Sequence, residues 1–88
     1  EVTLNNGTKL KTDAVFVAVG MIPHTEHLKN LLELDTQGYV VADETGKTSQ
    51  EGFFVAGDVR TKLLRQVITA VADGANAAVS ASEYIRQL

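Results

Sequence analysis

The sequence of 88 residues contains no cysteine and no tryptophan, and it has a single proline. Without cysteine, the chain itself has no disulfide, thiolate nucleophile, CxxC redox pair or cysteine metal ligand. The formal charge of −3 disfavours nucleic acid and anionic membrane as partners, because both select for basic surfaces. No apolar run approaches the ~20 residues of a membrane span, and no signal peptide opens the sequence. We therefore expect a cytoplasmic protein without thiol chemistry of its own.

Two patterns in the first twenty residues predict β-structure. Val2–Leu4 and Lys9–Lys11 alternate apolar and polar residues on either side of a turn that contains Asn6-Gly7. Because Asn-Gly tolerates positive φ, this pattern predicts a hairpin. Ala14–Val19 is a continuous apolar run closed by Gly20, which is typical of a strand buried on both faces of a parallel sheet.

The rest of the chain predicts short elements followed by one long helix. Thr25 is a candidate cap for a short helix that ends near residues 31–32. Tyr39–Ala42 and Phe53–Ala56 are predicted strands bounded by glycines. From about Leu64 to Leu88, small and apolar residues recur at helical spacing: Val67, Val71, Ala75, Ala78, Ser82 and Ile85. The predicted fold class is α/β, with short strands and one long C-terminal helix.

The predicted helix is rich in alanine and contains Gly74. A glycine inside a helix costs up to about 1 kcal/mol relative to alanine. Small residues let a helix approach another backbone or a ligand closely, and this gain would compensate for the cost. We therefore expect a close contact along this helix.

The most informative segment is the predicted strand Phe53–Ala56 together with Gly57 and Asp58, which follow it. In open α/β sheets, ligands bind at the carboxyl ends of the strands, and an aspartate there accepts hydrogen bonds from polyol hydroxyls. A few residues later, the start of the long helix presents unpaired N–H groups and a partial positive charge. Taken alone, a Gly-Asp pair after a strand is more often a simple turn. The combination with a helix start is what indicates a binding site.

Other polar residues give weaker signals. His24 and His27 are three residues apart, but two histidines without a third ligand favour surface or capping roles over a metal site. Arg60, Lys62 and Arg65 form a basic cluster before the long helix. Such a cluster is usually a solvated face, and the alternative is docking of an acidic partner or a phosphate. The acidic residues show no pairing that indicates acid–base catalysis.

Seven segments, in order along nearly the whole chain, resemble a known family: Asp13–Gly20, Ile22–Thr25, Gly38–Val41, Thr48, Phe53–Val59, Arg65–Ala70 and Asp73–Ala75. Their order and spacing resemble the C-terminal part of the low-molecular-weight thioredoxin reductases, in the superfamily of FAD- and NAD(P)-binding pyridine nucleotide-disulfide oxidoreductases. The resemblance implies a flavoprotein with two dinucleotide-binding domains. Residues 1–22 would end the NADPH-binding domain with its hairpin and closing strand. Residues 23–88 would form the C-terminal part of the FAD-binding domain.

The resemblance also implies roles for five residues. Asp58 would hydrogen-bond the ribityl chain of FAD, and Gly57 would give the cofactor room. Arg65, Gln66 and Val67 would lie at the isoalloxazine end, where backbone N–H groups meet the ring. None of these residues is expected to be catalytic, and no metal site is expected.

Enzymes of the resembled family transfer electrons from NADPH through FAD to the disulfide of a thioredoxin-like substrate. This sequence contains neither GxGxxG fingerprint and no CxxC. We therefore expect an inactive fragment of such an enzyme, which dimerises or self-associates. One alternative is the flavoprotein subunit of an alkyl hydroperoxide reductase, which the Arg65-Gln66 pair and Asp58–Arg60 modestly disfavour. A second alternative is a non-catalytic structural or interaction module that uses the fold without flavin.

Overall fold

A computed structural model describes all 88 residues. It contains four elements of regular secondary structure. Two strands, β1 and β2, form an antiparallel pair, and a single turn of 3-10 helix and one long helix, α1, follow. Their bounds are Val2–Thr3 for β1, Lys9–Leu10 for β2, Glu26–Leu28 for the 3-10 helix and Val67–Arg86 for α1. The predicted combination of short strands with a long C-terminal helix is confirmed.

The N-terminal hairpin forms as predicted. Val2 pairs with Leu10 and Thr3 with Lys9. The turn is closed by the Leu4 N–H, which donates to the Thr8 carbonyl at 2.8 Å. Gly7 adopts a φ of 84°, which is the left-handed conformation that the Asn-Gly sequence predicts.

The predicted buried strand at Ala14–Val19 is wrong for this chain. The segment has no strand hydrogen bonds, and its largest side chains are in solvent, with Phe16 94% exposed and Val17 81% exposed. A strand exists only through pairing with a neighbour, and no other segment of the 88 residues lies beside this one. The apolar pattern therefore indicates a buried strand, but the 88 residues contain no neighbouring strand that pairs with it and covers it.

The short helix after Pro23 is also smaller than predicted. Only Glu26–Leu28 is helical, as a 3-10 turn, and the side chain of Thr25 does not cap it. The Thr25 hydroxyl instead donates to the carbonyl of Gly38. Thr25 is thereby buried, and its hydrogen bond ties this turn to the start of the next segment.

A small hydrophobic core is formed by residues from the middle of the sequence. Leu32, Val40 and Val55 are its buried apolar residues, and Val40 is completely buried. Val40 bridges Leu34 in antiparallel fashion and Arg60 in parallel fashion. The predicted strands Tyr39–Ala42 and Phe53–Ala56 are thus reduced to isolated bridges, two at Val40 and one between Phe54 and Lys47.

The molecule is elongated, because the core supports only part of it. The radius of gyration is 18.8 Å, whereas a compact domain of this length has about 12 Å. All nine buried residues lie between Thr25 and Ser80, so the first 22 residues have no core beneath them. No helix of the chain is both long enough and apolar enough to span a bilayer.

Helix α1 is confirmed, with ends a few residues inside the predicted range, but its orientation differs from the simplest interpretation of its pattern. Val67, Val71 and Ile85, on the predicted apolar stripe, are 82%, 67% and 66% exposed. The face that packs against the rest of the chain instead contains small, polar and aromatic residues: Asp73, Ala77, Ser80 and Tyr84. The most apolar side of the helix therefore faces solvent.

The close contact along α1 lies at Ala77 rather than at Gly74. A Cβ built on Gly46 would stand 3.0 Å from the Ala77 Cβ and 2.8 Å from the Val55 carbonyl oxygen. Gly46 also has a φ of 72°. A Cβ built on Gly74 would meet nothing within 4 Å. The small residue that the packing requires is therefore Gly46, in the loop that α1 covers.

These two glycines give a matched pair of substitutions. Gly46→Ala is expected to destabilise the chain by ~1–3 kcal/mol, because the new methyl group overlaps backbone and the φ is left-handed. Gly74→Ala is expected to stabilise it by ~0.5–1 kcal/mol, because the site is helical and open. Urea unfolding followed by circular dichroism measures both free energies. Equal effects of the two substitutions on the free energy of unfolding would contradict the close contact of Gly46 with Ala77 and the Val55 carbonyl.

The exposed apolar side chains predict self-association of the isolated chain. They form two groups, the unpaired segment with Phe16, Val17 and Val19, and the outer face of α1 with Val67 and Ile68. Large contiguous apolar surface and unpaired strand edges favour association. Sedimentation velocity over a concentration series is expected to show species heavier than the monomer. A single monomeric species at every concentration would refute this expectation.

Candidate functional site

Asp58 lines a groove between the loop before the 3-10 helix and the core. The groove has a volume of about 310 Å³, and its lining is mainly apolar: Met21, Ile22, Pro23, His24, Tyr39, Asp58 and Val59. The Asp58 side chain is exposed, so its carboxylate is free to accept hydrogen bonds from a ligand. An acceptor at the edge of an apolar groove suits a ligand that combines a ring with hydroxyl groups.

Gly57 turns the chain into this position. Its φ of 89° is left-handed, which a residue with a side chain adopts only under strain. A Cβ at Gly57 would meet only the Ala70 Cβ, at an ordinary 3.7 Å. The glycine is therefore required by the backbone conformation that presents Asp58, and it places this turn against the first turn of α1.

Arg65 connects the turn to the start of the helix. Its Nε donates to the Asp58 carbonyl at 2.9 Å, and its Nη2 donates to the Arg60 carbonyl at 3.1 Å. The guanidinium carbon lies 3.8 Å from the centre of the Tyr39 ring, which is within range of a cation–π interaction. The structure thus brings Gly57, Asp58 and Arg65 together.

Gln66 and Val67 form the start of α1. Gln66 is extended, with φ −142° and ψ 162°, and its N–H donates to the Thr69 hydroxyl at 3.0 Å. The first helical hydrogen bond runs from the Ala70 N–H to the Gln66 carbonyl at 3.0 Å. The N–H groups of residues 67–69 lie before this first hydrogen bond and have no acceptor within the helix. They therefore give the N-terminal end of α1 a partial positive charge. The side chain of Val67 is in solvent and does not contribute to the turn.

Sequence reasoning missed the group beneath this site, which is the buried carboxylate of Asp73. Asp73 is 3% exposed and accepts hydrogen bonds from the Gly57 N–H at 2.9 Å and from Lys62 Nζ at 2.7 Å. It also accepts from Nε and Nη2 of Arg60 at 2.9 and 2.8 Å, as a bidentate pair. One carboxylate on α1 therefore binds the loop of residues 57–62 at three points.

Arg60 is as deeply buried as its partner. Its remaining donors reach the Thr61 carbonyl at 2.7 Å and Glu44 Oε1 at 2.8 Å. The hydrogen bonds from Arg60, followed by those from Lys62 and Gly57, hold the pKa of Asp73 far below the ordinary range of a carboxyl group, although burial opposes this shift. Asp73 is therefore ionised at neutral pH.

The two interpretations of the basic cluster need correction. Arg60 and Lys62 are neither a solvated face nor free to dock an acidic partner, because their side chains are 4% and 5% exposed and bind Asp73. Arg65, the third member, is occupied by two carbonyls and Tyr39. A signal was present in the sequence: an aspartate at helical spacing from Ala70, Ala77 and Ser80 stands on the small-residue face of α1, where an acid needs a buried cation.

A second groove, of about 340 Å³, lies between the loop of residues 47–54 and the C-terminal half of α1. Its lining includes Phe54 and Tyr84, whose rings meet edge to face at 6.1 Å. None of the five residues singled out in the sequence lines it. This second groove is therefore separate from the candidate site, which lies at the opposite end of α1.

A family model described as pyridine nucleotide-disulphide oxidoreductase matches residues 1–74. This range covers the hairpin, the core, the Gly57–Asp58 turn and the first turns of α1. The chain belongs to the pyridine nucleotide-disulphide oxidoreductase family.

Within this family, the chain is similar to thioredoxin reductases. It is 51% identical to the enzyme of Peptoclostridium litorale over 77 residues and 52% identical to that of Treponema pallidum over 80 residues. These matches cover 88% and 91% of the chain but 24% and 26% of the relatives. The crystal structure of thioredoxin reductase from Streptococcus pyogenes superposes with a TM-score of 0.78 at 40% identity, over 96% of this chain and 28% of that one. The chain thus spans about a quarter of the length of these proteins and is a thioredoxin reductase-like flavoprotein segment.

The ionised state of Asp73 predicts how stability depends on pH. A carboxylate whose pKa is lower in the folded than in the unfolded chain contributes its full stabilisation above the unfolded pKa of about 4, and that contribution falls as the pH drops below this value. Asp73→Asn is expected to cost about 3 kcal/mol near neutral pH, because Arg60 loses its buried partner. The difference between the wild type and the variant should shrink steadily below about pH 4.

Urea unfolding at pH values from 7 to 3 measures this difference for both chains. Asp35→Asn is the control, because Asp35 lies outside the Asp73 cluster and binds only nearby backbone N–H groups. A wild-type advantage that stays constant across the pH range would show that the ionised carboxylate of Asp73 is not its source.

Proposed function

We propose that this chain supplies the flavin-facing segment of an FAD-binding domain in a thioredoxin reductase-like enzyme. In this proposal Asp58 binds hydroxyl groups of the ribityl chain, while the N-terminus of α1, beginning at Gln66, faces the isoalloxazine ring. Arg65 holds these two parts together. FAD supplies the electron-transfer chemistry when it is bound, and NADPH is the proposed reductant of the complete enzyme.

The observation that carries the proposal is the juxtaposition of Asp58 with the start of α1. The Asp58 carbonyl is 2.9 Å from Arg65 Nε, and Gly57 lies against Ala70. The exposed Asp58 carboxylate and the N–H groups of residues 67 and 68, which have no acceptor within the helix, therefore stand at one end of α1. The carboxylate is an acceptor for hydroxyl groups, and the N–H groups favour negative charge that develops on a bound ring. These are complementary requirements of one ligand, and the residues present fit FAD.

We further assign residues 1–22 to the end of an NADPH-binding domain and residues 23–88 to the FAD-binding domain. The assignment is supported by the location of every buried residue between Thr25 and Ser80. The similarity to thioredoxin reductases supports a disulfide of the thioredoxin type as the final electron acceptor, and we propose that the complete enzyme acts as a dimer. Because the relatives' full length is about four times the matched segment, the electron transfer itself belongs to the proposed complete enzyme.

The first test is a titration of the purified chain with FAD, followed by flavin fluorescence. Asp58→Ala is expected to weaken binding about 10- to 100-fold, because a hydrogen bond to a charged group contributes about 1.5–3 kcal/mol. Glu83→Ala is the matched control. It removes the same charge from an exposed position near the C-terminal end of α1, and it should leave FAD affinity unchanged.

A second arm places the chain in a complete protein. The matching segment of the Streptococcus pyogenes enzyme is replaced by this chain, which covers 28% of that protein. The chimera is expected to purify with FAD and to reduce thioredoxin with NADPH, and Asp58→Ala should lower its flavin content. A folded chimera without flavin would refute the proposal. Flavin with activity toward a peroxiredoxin instead of thioredoxin would favour the alkyl hydroperoxide reductase alternative.

A further inference from the structure

We propose that Asp73 is the positioning residue that sets the Gly57–Asp58 turn for ligand binding. The inference rests on the proposed function, in which Asp58 and the start of α1 bind one ligand. It concerns a residue that does not itself touch that ligand, because the Asp73 side chain is almost completely buried. Its effect would pass through the backbone of Gly57.

The first step is the hydrogen bond between the Gly57 N–H and Asp73 Oδ2, at 2.9 Å. Gly57 is the residue immediately before Asp58, and its left-handed φ of 89° determines the direction of the chain there. Glycine has little intrinsic preference between positive and negative φ. An external contact must therefore select the conformation, and the Asp73 carboxylate is the acceptor that its N–H meets.

The second step is the position of Asp73 on α1. It stands two turns after the helix start and binds Arg60 and Lys62, which lie on the far side of the same loop. Arg60 also presents its carbonyl to Arg65, the residue that contacts the Asp58 carbonyl. The turn and the helix start are the two halves of the proposed site. The Asp73 carboxylate thus fixes the position of one half relative to the other.

The third step separates positioning from simple stabilisation. Ser80 lies about two helical turns after Asp73 on the same face of α1. It is also buried, and its hydroxyl donates to the Thr45 carbonyl at 2.8 Å. It ties the same helix to a different loop, and its side chain has no hydrogen bond to residues 57–62. Loss of Ser80 weakens the attachment of α1 without releasing Gly57, so Ser80→Ala is the matched control for Asp73→Asn.

The experiment measures amide hydrogen exchange by NMR in the 88-residue chain, together with its FAD affinity. Asp73→Asn is expected to accelerate exchange of the Gly57 amide at least tenfold relative to the Val55 amide, which bonds to the Gly46 carbonyl within the core. It should also weaken FAD binding at least tenfold although Asp58 is intact. Ser80→Ala should leave the Gly57-to-Val55 exchange ratio and the FAD affinity within about twofold of the wild type.

Equal acceleration at Gly57 and Val55 in Asp73→Asn would reveal a general loss of stability and would overturn the inference, as would an unchanged FAD affinity. If Asp73→Asn does not fold, the measurements are repeated for all variants in an osmolyte such as TMAO, which favours the folded state. If the wild-type chain itself binds no FAD, the proposed function fails for the isolated chain. The Gly57 exchange ratio then still decides whether Asp73 sets the turn.

Discussion

The buried ion pair between Asp73 and Arg60 is the interaction on which the folded part of this chain depends. Only three buried apolar side chains form the core, so hydrophobic burial contributes little compared with an ordinary domain. The ion pair compensates by joining α1 to the loop before it through hydrogen bonds that satisfy both charged groups. Removing charges from water is costly, and the cost is offset only when the geometry is bidentate and the remaining donors are satisfied. Arg60 meets this condition, since Thr61 and Glu44 accept its other N–H groups.

The apolar residues of the chain are divided between this small core and solvent. Val40 is fully buried, whereas Phe16 and Val67 are almost fully exposed, although all three lie in segments with the composition of buried structure. A continuous apolar run such as Ala14–Val19 has the sequence of a strand that is covered on both faces. Its neighbours would come from the rest of the proposed enzyme, because the relatives are about four times as long as the matched segment.

Local patterns were sufficient for the features that depend on nearby residues. Asn6-Gly7 predicted the hairpin, and the helical spacing after Leu64 predicted α1. Gly57 and Asp58 form a turn beside a groove, and the binding role assigned to them stays a prediction. Features that depend on distant residues were missed. The Asp73 carboxylate meets partners 11 to 16 residues earlier in the chain. Its helical spacing from Ala77 and Ser80 indicates a buried acid, but it does not identify those partners. The wrong prediction at Ala14–Val19 has a different cause, since its apolar composition favours a strand but no segment of the 88 residues pairs with it.

The arrangement also explains why binding and folding should be linked in this segment. The residues that would contact a ligand lie on a loop and on a helix start, and these are held together by polar contacts at Asp73 and Arg65 rather than by a large core. A ligand that bridges the two parts binds only when they are in register, so it stabilises the folded chain by mass action. The same dependence runs in the other direction, because any change that loosens the loop lowers the population able to bind. A hydrogen bond to the buried Asp73 carboxylate thus suits the Gly57–Asp58 turn better than apolar packing does. It selects one backbone conformation at Gly57, which glycine alone would leave free.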